Sequence, residues 1–126
     1  MDYKTILNQA SDKLKDFSVK NPRLDSELLL SNSLKISREY LLLNLNKKME
    51  NIEYIKFNNL LEKRTKKMPI AYIIGYKNFW KSKFFINNSV LIPRPETELI
   101  VEEALNYLPK NKSKKIIDIG TGSGCI

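Results

Sequence analysis

The chain is 126 residues long, 42% apolar and 29% charged, with 22 Lys and Arg against 14 Asp and Glu and a formal charge of +8. That balance is of a soluble globular protein and excludes a disordered one, and the length allows one ordinary domain or a small domain with the start of another. With no histidine and a single cysteine, Cys125, the stretch excludes histidine catalysis and an intrachain disulfide and argues against a zinc site, so no metal is expected.

The first seventy residues read as helical. Ile6, Leu7, Ala10, Leu14 and Phe17 recur at spacings of three and four, predicting a helix from about Tyr3 to about Phe17. Asn21-Pro22 breaks that pattern. Pro22 suits the first turn of a second helix reaching about Leu34, with Leu24, Leu28 and Leu29 on one side and Asp25 and Glu27 on the other. Ser37 can cap a short third helix, and Asn51 a fourth carrying Ile52, Ile55, Leu60 and Leu61, which Pro69 ends. No repeat or heptad appears, so a compact bundle of four or five short helices is expected.

Lys63, Arg64, Lys66 and Lys67 form the densest basic cluster. We read it as a solvated helix end complementing the helix dipole, because no aromatic residue interleaves with it. Attraction to RNA, or to a partner already bound to RNA, is the other reading. No apolar run approaches the roughly 18 residues of a membrane span, and the charged, amphipathic N-terminus does not read as a cleaved signal, so a cytoplasmic protein is expected.

After Pro69 the character changes. Ala71–Gly75 is apolar, Tyr76–Trp80 and Lys83–Ile86 are aromatic-rich and of strand type, Ser82 is a bend between them, and Val90–Ile92 is a further extended piece. Pro93-Arg-Pro-Glu-Thr-Glu98 then leads into a helix from Pro95 to about Leu108, with Pro95 at its start and Glu96 and Glu98 in the first turn. A polar connection, 109–114, precedes Lys115–Ile119, which reads as a short buried-type strand running into Gly120-Thr-Gly-Ser-Gly124.

A strand followed by such a loop lets backbone N–H groups approach a ligand at the start of a helix. The spacing is not the dinucleotide G-x-G-x-x-G, and no Gly-Lys-Ser or Gly-Lys-Thr of a phosphate loop is present. The match is acid-x-Gly-x-Gly-x-Gly, with Asp118 as the acid. It resembles motif I of the Rossmann-like methyltransferases that use S-adenosylmethionine. Together with Leu91–Glu98 and the preceding Gly75-Tyr-Lys-Asn-Phe-Trp80, the chain closely resembles the HemK/PrmC family, which methylates the side-chain amide nitrogen of the glutamine in the Gly-Gly-Gln loop of peptide chain release factors.

The resemblance implies an α/β parent protein. Residues 1–69 would form a helical substrate-docking domain, 70–92 a hairpin linker, and 93–126 the beginning of a Rossmann-like methyltransferase domain. It implies that Asp118, Gly120, Thr121, Gly122, Ser123 and Gly124 bind S-adenosylmethionine, and that release factors are the partners. Membrane association is not expected, nor is direct nucleic-acid binding, though the latter stays open. Arg94, a cation held between two prolines, is left unexplained by a helix start, so Arg94 and Thr97 are candidates for the active-site wall.

The family's Asn-Pro-Pro-Tyr motif, which by resemblance orients the glutamine amide, does not occur in these 126 residues, and the catalytic residues are expected beyond residue 126. The sequence therefore reads as a fragment, inactive by itself. Two other classes stay open: a methyltransferase acting on an exocyclic amine of RNA or DNA, and a non-catalytic helical module that binds a protein.

Overall fold

In the computed structural model, which describes residues 1–108, 110 and 113–126, the chain opens with helix α1, Tyr3–Asp16. Asp2 starts it, its carboxylate accepting the Thr5 N–H at 2.8 Å, as an N-cap acid does. Tyr3 N and Lys4 N are taken up by the carbonyls of Lys47 and Leu45 at 2.9 and 3.0 Å, so the orphan donors of the first turn are satisfied by a distant loop. The chain divides into two units, Met1–Ile74 and Gly75–Ile126.

The first unit is a helical bundle of α1, α2 (Pro22–Leu34), α3 (Arg38–Leu43), α4 (Asn51–Thr65) and α5 (Ile70–Ile74). Ile6, Leu7, Ala10 and Leu14 of α1 are buried as their spacing predicts, whereas Phe17 lies outside the helix and is 49% exposed. The core adds Val19, Leu29, Leu30, Leu41, Met49, Phe57 and Leu61.

Helix α2 departs from the expected two-sided pattern. It packs against α1, α3, α4 and α5, and its buried set includes Asp25, Ser26 and Glu27 alongside Leu29 and Leu30, while Leu24 is exposed. A helix surrounded on several sides cannot keep one face for solvent, and its acids are tolerated inside because each is paired. Helix α4 also corrects the reading. Glu50, not Asn51, is its N-cap, in a capping box with Glu53. Phe57, Leu61 and Thr65 turn inward, Leu60 is half-buried, and Ile52 and Ile55 are left exposed.

The second unit holds a two-stranded antiparallel hairpin, β1 (Tyr76–Phe79) and β2 (Ser82–Phe85), with Phe79 opposite Ser82. Ser82 thus opens the second strand instead of forming the bend, and Trp80 and Lys81 make the turn, with Trp80 at a φ of 53°. Ile70–Ile74, apolar and read together with the hairpin, is the short helix α5, held on the first unit's core by Ile70, Ile73 and Ile74, with Ala71 buried. A 3-10 turn at Pro95–Thr97 leads into α6, Glu98–Tyr107, close to the expected helix.

The strand expected over Lys115–Ile119 is not formed, and Ile116, Ile117 and Ile119 are 70%, 85% and 93% exposed. A strand exists through the ladder it shares with neighbours, and the only sheet among the described residues is the β1–β2 hairpin. The polar connection 109–114 lies partly outside the described residues. No helix among them is long and apolar enough to cross a membrane.

Candidate functional site

The candidate residues form two groups, both in the second unit. At the Pro93–Glu98 turn, Pro93 is buried and Arg94 exposed. Arg94 is extended (φ −93°, ψ 143°), as a residue before proline must be, and its carbonyl accepts the Thr97 N–H at 3.1 Å. Its guanidinium has no ion-pair partner among the described residues. Thr97 is half-buried and makes no side-chain cap.

Glu98 does more than charge the first turn of α6. Its carboxylate accepts the Trp80 N–H at 2.7 Å, tying the hairpin turn to the start of the helix. Trp80 is in the left-handed region, where a bulky residue is strained, so this hydrogen bond holds an unfavourable turn in place. The Pro-Arg-Pro segment is thereby braced against the hairpin, which sequence spacing does not reveal because the partners are eighteen residues apart.

The glycine loop is open. Gly120, Gly122 and Gly124 have φ values of +74°, +56° and +75°, all in the left-handed region that favours glycine. A Cβ at Gly120 or Gly124 would meet no atom within 4 Å, so the backbone surface there is clear for a ligand. The Gly124 N–H donates to the Thr121 carbonyl at 2.9 Å, closing the turn. Asp118 and Thr121 are exposed, and Ser123 and the free Cys125 half-buried. Among the described residues no hydrogen bond or ion pair joins this loop to Arg94 or Thr97, so each group stands by itself.

The first unit carries a polar arrangement that sequence reasoning missed. Asp25 is paired with Arg64 at 2.6 Å, and Glu27 with both Arg23 and Arg38 at 2.8 Å. The available signal was the run Leu28-Leu-Leu30 next to those acids, which turns apolar side chains to several sides of one helix. The basic cluster at 63–67 is partly internal as well. Arg64 is spent on Asp25, and Lys67 Nζ donates to the Phe17 carbonyl.

Comparison with known proteins gives a consistent picture. The profile of the PrmC N-terminal domain matches residues 5–75. A protein of Buchnera aphidicola subsp. Baizongia pistaciae named release factor glutamine methyltransferase is 44% identical over 126 residues, covering all of this chain and 45% of that relative. One of the same name from Leptospira interrogans is 38% identical over 97% of this chain and 43% of its own length. A bifunctional methyltransferase of Rickettsia bellii is 35% identical over 96% of this chain and 26% of its own length. The chain thus spans less than half the length of these curated relatives.

Proposed function

This chain belongs to the PrmC N-terminal domain family, and from that membership we propose that it is the N-terminal part of a release factor glutamine methyltransferase. The enzyme transfers a methyl group from S-adenosylmethionine to the side-chain amide nitrogen of the glutamine in the Gly-Gly-Gln loop of peptide chain release factors, in the cytoplasm. The observation that carries this reading is 44% identity along the whole chain to a relative of that name. The acid-x-Gly-x-Gly-x-Gly pattern at Asp118–Gly124 supports it.

In this reading residues 1–69 dock the protein substrate, 70–92 link, and 93–126 begin a Rossmann-like catalytic domain. When bound, S-adenosylmethionine supplies an electrophilic methyl on a sulfonium. Asp118 holds the cofactor's amino group by charge. The backbone of Gly120, Thr121, Gly122, Ser123 and Gly124 offers N–H donors at a surface where a side chain would intrude. Arg94 and Thr97 line the active-site wall, the arginine orienting carbonyl or carboxylate groups. An amide nitrogen is a poor nucleophile because its lone pair is delocalised, so precise orientation of the glutamine is the main catalytic requirement.

The test is the full-length gene product with release factor and labelled S-adenosylmethionine. The expected result is one methyl on the glutamine of the Gly-Gly-Gln peptide, read by mass spectrometry. Transfer to RNA or DNA with none to release factor would sink the reading. Gly122→Val is expected to abolish cofactor binding, measured by calorimetry, because valine is strained at the φ of +56° found there.

A further inference from the structure

We propose that a cleft of about 370 Å³ on the first unit, bordered by Lys20, Arg23 and Arg38, docks a carboxylate-bearing segment of the protein substrate. The identity of that substrate rests on the proposed function above; the chemistry of the cleft does not.

The cleft is built around Glu27. Its side chain is only 6% exposed, and its two oxygens accept from the Nε of Arg23, on its own helix α2, and the Nε of Arg38, on α3, each at 2.8 Å. One buried acid therefore fixes two guanidinium groups from different helices side by side. Arg23 spends one further donor, Nη1, on Asn8 Oδ1 at 2.8 Å. The terminal nitrogens of Arg38 have no partner among the described residues, and both arginine side chains are 43% exposed. With Lys20, three cations meet one acid, leaving the cleft at a formal +2.

Guanidinium groups already held by a buried carboxylate lose little freedom when a second carboxylate arrives, which is how preorganised sites gain affinity. Charge-assisted pairing then favours an acidic side chain. The rest of the wall is Asn21, Pro22 and an exposed Leu24, which suits the backbone and apolar neighbours of that acid in a polypeptide. Single-stranded RNA is held chiefly by bases stacked on aromatic rings, or on guanidinium planes; no aromatic residue lines this cleft, and both of its guanidinium groups are already engaged by Glu27. The observations therefore favour an acidic protein segment over a nucleic acid.

The experiment is steady-state methylation of release factor by the full-length enzyme carrying Lys20→Glu, Arg38→Gln or Lys20→Arg. Lys20→Glu and Arg38→Gln are expected to raise KM about tenfold, with kcat changed less than about twofold and a weaker salt dependence of KM. Lys20→Arg should keep the wild-type KM. Lys20 is exposed and in no ion pair among the described residues, so Lys20→Glu remains a valid test even if Arg38→Gln loosens the bundle. An unchanged KM in Lys20→Glu overturns the inference while leaving the proposed function intact. So does a loss of affinity for poly(U) RNA in that variant without a change in KM. Absence of methyl transfer to release factor by the wild-type enzyme overturns the proposed function, and this inference with it.

Discussion

Arg64 Nε donates to Asp25 Oδ2 at 2.6 Å, joining the last turn of α4 to the first turns of α2. The two side chains are 17% and 8% exposed, and Arg64 Nη1 also donates to the Met68 carbonyl at 2.9 Å. A residue that looks like one of a run of surface cations is therefore an internal fastening. It satisfies a buried acid and a carbonyl beyond the helix end with one planar, preorganised group.

Removing it should be costly. Arg64→Ala leaves the Asp25 carboxylate buried without its partner, and we expect about 3 kcal/mol of destabilisation in urea unfolding. The double variant Asp25→Leu/Arg64→Met should recover most of that, because the penalty comes from the unpaired charge and not from loss of a net attraction. A double variant no more stable than Arg64→Ala would contradict this account.

On α4, Phe57 and Ile55 should behave oppositely. Phe57 is 1% exposed and Ile55 60% exposed, so Phe57→Ala should cost about 3 to 5 kcal/mol and Ile55→Ala less than about 0.5 kcal/mol. Equal costs in chemical denaturation would mean that the inward face of the helix is misassigned.

Glu98→Ala removes the acceptor of the Trp80 N–H. Amide exchange at Trp80 should speed up while that of Leu7, in the buried core of the other unit, stays the same. Glu98→Gln keeps an acceptor oxygen and should retain part of the protection.

Acid should weaken the bundle at two identifiable carboxylates. Hydrogen bonding to the Thr5 backbone N–H, above all, lowers the pKa of Asp2, and the hydrogen bond from Lys13 lowers that of Glu62. A carboxyl depressed in the folded state contributes stability that is fully present above its unfolded pKa and lost as pH falls through the folded value. Thermal midpoints should therefore hold through neutral pH and drop below about pH 4. Asp2→Asn keeps a capping oxygen but cannot titrate, so its midpoint should fall less steeply over that range. An identical acid profile in wild type and Asp2→Asn would exclude Asp2 as a contributor.

Local features were legible in the residues. Pro22 begins α2, Ser37 caps α3 by accepting the Tyr40 N–H at 3.1 Å, and Ile6, Leu7, Ala10 and Leu14 line the buried side of α1. Each depends on groups within four residues, so the spacing alone carries it. The glycines of the loop likewise announce a left-handed backbone, and all three are at positive φ.

What the sequence determined by itself was therefore the starts of α1, α2 and α3, the inward face of α1, and a pattern specific enough to indicate the family. What only the tertiary structure decided was where charge could be buried. Asp25 and Glu27 lie inside because α2 is surrounded and because Arg64 and Arg38 come from other helices to meet them; Glu98 likewise reaches back to Trp80. Such pairings depend on how elements pack. A charge is stable out of water only when its partners arrive in the same place; Arg23 lies on Glu27's own helix, but Arg64 and Arg38 are brought in only by packing.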